Sequence, residues 1–162
     1  MPKSLERLAD LSGFPATEIS RVFDAPRKLV YQAWTDPRHM ARWWGPKEFS
    51  NPRCDMDVRV GGAIHIDMRA PNGTVYPMPG VFTLVDPPKA LAFLCGAADA
   101  DGDQIFEVLN SVRFDEEPGG KTRVHILATM QWARPEAAPM WGGNVPGWNQ
   151  SLVKLAAFLA EA

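Results

Sequence analysis

The first regular pattern along the chain is the run Thr17 to Phe23, where apolar and polar residues alternate as in a half-buried strand. Ahead of it, residues 1–15 read as an extension with one short helix around Leu5, Leu8 and Leu11. Beyond Phe23 the period lengthens. Asp24 offers an N-cap carboxylate with Pro26 in the first turn, where the missing N–H costs nothing, and Leu29, Val30, Ala33 and Trp34 follow at helical spacing. Asp36-Pro37 repeats that start signal, and Met40, Trp43 and Trp44 fall at i, i+3 and i+4 before Gly45 closes the turn. Two short consecutive helices are therefore predicted after the first strand.

From Arg53 to Trp132, Gly, Pro and Asn-Gly breaks separate short apolar runs, the signature of an antiparallel sheet. In Ala63 to Arg69, Ile64, Ile66 and Met68 alternate with His65 and Asp67, and the turn signal Pro71-Asn72-Gly73 follows. Val81 to Val85, Leu91 to Cys95, Phe106 to Phe114 and Thr122 to Trp132 supply further strands, for six or seven in all. The last segment opens at Asn144 and Pro146 and places Trp148, Leu152, Leu155, Ala156 and Leu159 on one arc of a helix, with Gln150, Lys154 and Glu161 opposite. The order predicts an α+β layer fold in which an amphipathic C-terminal helix covers one face of the sheet.

The opening strand followed by FDAPRKLVYQAWTDPRHMARWWGP, then VGGAIHIDMRAPNG, YPMPGVFTLVDPPKALAF and GWNQSLVKLAAFLA, resembles the activator of heat-shock-protein-90 ATPase homologue (AHSA-type) family of the START-like, birch-pollen-allergen-like (SRPBCC) superfamily. The resemblance runs from about residue 16 to the end. It implies a helix-grip fold: a curved antiparallel sheet of six or seven strands around a long C-terminal helix, with two short helices between the first two strands and an apolar cavity beneath them. Residues 16–162 would then be one START-like ligand-binding domain. Relatives of this kind include small-molecule binders, self-resistance proteins, aromatase or cyclase relatives and many bacterial proteins without a known role, so the fold leaves the function open.

Composition narrows the partners. A chain of 162 residues, 46% apolar and 22% charged, fits one globular domain with a sizeable core. Seventeen Lys and Arg against 19 Asp and Glu leave a net charge of -2, which disfavours nucleic acid and anionic membrane as partners. Lys3, Glu6, Arg7 and Asp10 interrupt any signal-peptide core, and the longest apolar stretch, Ala90 to Ala98, falls far below the roughly 20 residues that span a bilayer. A cytoplasmic location is expected; a homodimer is left open.

No metal and no cofactor is expected. Cys54 and Cys95 have no zinc-type spacing, and Cys54 reads as a buried apolar thiol. The loop Asp99 to Asp103 has the acid spacing of a calcium loop, but its glycine falls one place early and the twelfth position is Asn110, so a solvated hairpin turn is expected. His39, His65 and His125 form no pair, and alternation turns His65 and His125 away from the Ile64 and Ile126 faces. Nucleophile-elbow, phosphate-loop and zinc-protease motifs are missing, and Gly61-Gly62 reads as a sheet bend.

The candidate site is the apolar interior. By alternation Ile64, Ile66, Met68, Phe82, Phe106, Val108, Val112, Ile126 and Met130 face the grip, with Asn110 a lone polar group among them. Trp148 and Leu152 face inward from the last helix, whereas Trp44, Trp132 and Trp141 are candidates for a cavity mouth. Such a pocket suits a hydrophobic or aromatic small molecule oriented by Asn110, with Tyr76 or Gln150 assisting. A cyclase-like or hydrolase-like enzyme acting on a polyketide-type compound is the first alternative, and it would need an acid or base inside. Glu107 and Asp67 are the nearest acids, and alternation points both outward. A chaperone ATPase-stimulating interaction module is the second alternative. It is disfavoured because co-chaperones of that kind carry an additional domain ahead of this one.

Overall fold

A computed structural model describes residues 8–98, 101–141 and 144–161. Strand β1 (Thr17–Phe23) is followed by α1 (Arg27–Thr35) and α2 (Pro37–Trp43). Six strands come next: β2 (Ser50–Met56), β3 (Ala63–Arg69), β4 (Val75–Asp86), β5 (Ala90–Ala98), β6 (Gln104–Glu117) and β7 (Lys121–Ala133). A 3-10 turn at Pro135–Ala137 and the single turn α3 (Ala138–Trp141) lead into α4 (Asn144–Glu161). The strands form one antiparallel sheet in the order β1-β7-β6-β5-β4-β3-β2. The first strand thus closes against the last, Thr17 opposite Ala128 and Phe23 opposite Thr122. Helix α4 buries Trp148, Leu152, Leu155 and Leu159 in the same core as the inward residues of the sheet, which is the helix-grip arrangement.

Local chemistry accounts for most boundaries. Asp36 caps α2 by accepting the Arg38 backbone N–H at 2.9 Å. Asp24, expected to cap α1, does not: the helix starts behind Pro26 with no side-chain cap, and the Leu29 and Val30 N–H groups bond to the Pro26 carbonyl. Tertiary contact fixes this entry instead, because Ala25 is buried and its carbonyl accepts the Thr122 hydroxyl at 2.8 Å. The short N-terminal helix expected around Leu8 and Leu11 is a 3-10 turn, Leu11–Gly13, capped by Asp10; Leu5 lies outside the described residues.

β4 begins at Val75, six positions before the expected Val81, and runs through Pro77 and Pro79. Those residues pair with β3, whereas β5 reaches β4 only from Gly80 onward. The side of β4 away from β3 is therefore open here, and an N–H missing on that side breaks no ladder bond. Gly62 accounts for the bend before β3, since a Cβ there would stand 1.8 Å from the Asp57 carbonyl oxygen.

The interior divides into two apolar clusters. The larger joins α1, α2 and α4 to the inward faces of the sheet, with Trp34, Trp43, Trp44 and Trp148 at its centre. The smaller gathers Phe14, Val108, Ala128, Met130, Ala133 and Ala137, with Ala9, Phe106 and Trp141 packed against it.

Candidate functional site

Helical spacing in α1, α2 and α4 brings four indoles together. Trp34 meets Trp43 edge to face at 4.7 Å and stacks on Trp148 at 6.0 Å, while Trp44 meets Trp148 at 5.4 Å and Phe93 at 6.0 Å. The Trp43 N–H donates to the Ala33 carbonyl at 2.9 Å. The N–H groups of Trp34 and Trp44 are buried without an acceptor.

Beside this aromatic group the packing changes character. Met40, Met56 and Met78 surround a gap together with Trp44, Ile64, Ile66, Phe82 and Phe93, and the gap is too narrow to admit a water molecule. Its entire lining is apolar. On the outer side of β2 lies a surface groove of about 440 Å³ lined by Pro37, Arg53, Cys54, Asp55, Met56, Asp57, Ala63 and His65. Met56 belongs to both linings, so the gap and the groove meet at this residue.

The segment between α2 and β2 roofs this region and is tied down on all sides. Lys154, placed on the polar side of α4 by its periodicity, reaches the carbonyls of Trp44, Gly45, Pro46 and Phe49 at 3.3–3.4 Å. Burial pulls its ammonium pKa below the ordinary lysine value. The Ser151 hydroxyl donates to the Gly45 carbonyl at 2.8 Å, Gln150 accepts the Lys47 N–H at 2.9 Å, and the Asn51 amide donates to the Ala41 and Trp44 carbonyls. Gly45 sits at φ +94°, where a side chain would be strained and its Cβ would crowd the Met68 methyl.

The structure brings Trp44, Ile64, Ile66, Phe82, Val112, Ile126, Trp148 and Leu152 into the large cluster, with Met68 half-buried beside them. Phe106, Val108, Met130 and Trp141 go to the small one. Trp141 spends its N–H on the Pro15 carbonyl and packs on Phe14, and Trp132 is half-buried outside both clusters. Asn110 is buried, as its place between Val108 and Val112 requires. Its amide donates to the Cys95 Sγ at 3.1 Å and, more weakly, to the Phe93 carbonyl at 3.4 Å. Tyr76 is exposed at the rim near Phe49.

Met40, Met56, Met78 and Phe93 line the gap and were not expected there. Phe93 was within reach of the pattern, because it stands opposite both Phe82 and Asn110 in register. Met56 and Met78 belong to strand portions that proline and charge disguise.

Ionisable groups lie away from the gap. His65 pairs with Asp67 and His125 with Asp115, each at 3.0 Å, on the outer face of the sheet. Burial pushes the Cys54 thiol up to about 11 and Cys95 up to about 12, with nearby acids adding to both, and both thiols are free. Among the described residues no group of three or more His, Cys, Asp or Glu could hold a metal ion. Asp101 and Asp103 are described, whereas Asp99 and Ala100 of the acidic turn lie outside the described residues. No helix among the described residues is long and apolar enough to cross a membrane.

Residues 24–160 match the family model described as activator of Hsp90 ATPase homolog 1-like protein. A crystal structure of a protein from Mycobacterium smegmatis is 28% identical with a TM-score of 0.76, covering 94% of both chains. The AHSA1 protein from Silicibacter pomeroyi is 27% identical with a TM-score of 0.76, covering 90% of this chain and 98% of that one. A solution structure from Arthrobacter aurescens is 26% identical with a TM-score of 0.79, covering 98% and 94%. No curated protein matches the chain significantly.

Proposed function

The chain belongs to the family of proteins like activator of Hsp90 ATPase homolog 1, and from that premise we propose that it binds a hydrophobic or aromatic small molecule between the sheet and its helices. The observation that carries this reading is the methionine-walled gap under Trp44. Unbranched, polarizable thioethers re-pack at little cost, so a wall built from Met40, Met56 and Met78 yields to a guest where a wall of Ile or Phe would resist. The ligand enters from the β2 groove as Met56 swings aside, and it settles against Ile64, Ile66, Phe82 and Phe93. Binding suits this lining better than turnover does, since no acid or base borders the gap. The free thiols accord with a cytoplasmic setting.

The test uses N-phenyl-1-naphthylamine, a neutral fluorophore that brightens in apolar surroundings. Saturable enhancement with the purified protein is expected, and Met78→Trp, which fills the gap, should abolish it while circular dichroism stays native. Enhancement that persists in a folded Met78→Trp protein would move the site elsewhere.

A further inference from the structure

We propose that two copies of this chain associate through their β2 edges, with Cys54 opposite Cys54 on the two-fold axis and Arg53 of each copy opposite Asp55 of the other. The inference does not depend on what the gap binds.

β2 stands at the end of the sheet and pairs with β3 alone. The direction of its unspent main-chain groups follows from one bond. The Asp57 N–H donates to the Ala63 carbonyl at 2.9 Å, so by antiparallel alternation Asp55, opposite His65, and Arg53, opposite Asp67, also spend their main-chain groups on β3. Cys54 and Met56 then turn N–H and C=O to the open side, and the Pro52 carbonyl does the same. Pro52 has no N–H to offer there, which a sheet edge tolerates. The groove of about 440 Å³ lies against this stretch, and no described strand of the same chain covers it. An open edge of this kind is a template for another strand.

Charge selects the occupant and the register. The side chains of Arg53 and Asp55 are 54% and 66% exposed and share the outer face of β2. When an antiparallel copy of β2 lies along this edge, centring on Asp55 or Met56 sets acid against acid, and centring on Arg53 sets cation against cation. Like charges directly opposite are destabilising. Centring on Pro52 removes both central N–H donors. Centring on Cys54 sets Arg53 against the second copy's Asp55, twice by symmetry. It also pairs the two Cys54 main chains in both directions and gives each Met56 N–H the opposite Pro52 carbonyl, about four bonds in all. Across the junction the outer row reads Asp67, Arg53, Asp55, His65, so no acid faces an acid from one sheet into the next. A single short strand pair buries less than the roughly 1,600 Å² of a standard complex, so the association is weak and depends on concentration. Paired strands cover the groove beside Met56, so a guest would pass there only while the copies are apart.

The experiment is sedimentation velocity on the full chain from about 1 µM to 1 mM, the range of a weak association, in about 50 mM salt so that ion pairs are little screened. The wild-type protein should shift from monomer to dimer with concentration. Arg53→Asp and Asp55→Arg, both at exposed side chains, should each weaken this about tenfold or more while circular dichroism stays native. An equimolar mixture of the two variants should dimerise again, because each charge at position 53 then meets its opposite at position 55 of the other chain. The double variant Arg53→Asp/Asp55→Arg carries the swap within one chain and should self-associate like the wild type, which keeps the test open where a single variant folds poorly. A wild-type protein that stays monomeric throughout, folded single variants that dimerise as well as the wild type, or a mixture and a double variant that both stay monomeric overturns the proposal.

Discussion

Beneath β3, β4 and α2 the interior is rich in methionine, isoleucine and tryptophan, whereas under the ends of β6 and β7 it is built around three alanines, with Val108 and Met130 beside them and Phe14 closing it. The alanines at 128, 133 and 137 are fully buried and have no side-chain length to give up. They let backbones approach directly: the Ala9 N–H donates to the Ala133 carbonyl at 2.7 Å, and the Arg134 N–H to the Ile105 carbonyl at 2.8 Å. The methionine region has the opposite property, with contacts carried on flexible stems and a residual gap among them. Aromatic density alone therefore does not mark a ligand site. Trp141 is as prominent in the sequence as Trp44, yet its N–H is already spent on the Pro15 carbonyl and its ring packs against the alanine-centred cluster.

The contrast is sharpest within the large cluster, where the indole group and the methionine wall adjoin. Trp34→Ala should lower unfolding free energy by about 3–5 kcal/mol in urea titrations, because its buried ring touches Trp43, Phe114 and Trp148. Met78→Leu should cost less than about 1.5 kcal/mol. Equal losses from the two would erase the distinction between a rigid and a yielding side. In the alanine cluster, Ala128→Leu should cost about 1–3 kcal/mol by overpacking and leave fluorophore affinity unchanged. A change in affinity would mean that the two clusters act as one cavity.

Smaller effects probe the roof and the helix start. Lys154→Met leaves four carbonyls without their ammonium, and about 1–2 kcal/mol should be lost, with faster amide exchange confined to residues 44–49. Exchange spreading into β6 and β7 would show the roof and the alanine cluster to be coupled.

The smallest effect concerns Asp36. Its side-chain hydrogen bond with Arg38, more than any other influence, holds its carboxyl down at about 2 against an ordinary 3.8. A carboxyl depressed in the folded state contributes stability that is present above pH 4 and lost as pH falls through about 2. Asp36→Asn keeps the cap and removes the charge. The difference from wild type should therefore be about 0.5 kcal/mol near neutrality, shrink below pH 4 and vanish only below pH 2.

Much of this was legible in the chain. Alternation located β1 and β3 to the residue, and helical spacing in the last segment placed Trp148, Leu152 and Leu155 inward. What stayed hidden has physical causes. Proline ordinarily argues against a strand, yet Pro77 and Pro79 sit where β4 has an unpaired side, so Met78 was lost with its strand. The register shifts where Glu107 pairs with Trp132 and Val108 with Met130, which leaves Gln131 as an extra residue on β7 and takes Trp132 out of the alternation that turns Ala128 and Met130 inward. Lys154 looked like a solvated charge because periodicity reports a direction, not the carbonyls that a long side chain can reach.

The pairing of β1 with β7 also sets a timetable. β1 is made roughly a hundred residues before its partner exists, while β3 to β7 can each dock on the strand just completed. Through that interval the nascent meander carries Ile64, Ile66, Phe82 and Phe93 on a face that α4, the final element, has yet to cover. A ribosome that stalls or a message that ends before Asn144 would release a sheet with its apolar side bare, a sticky fragment for chaperones and proteases to intercept.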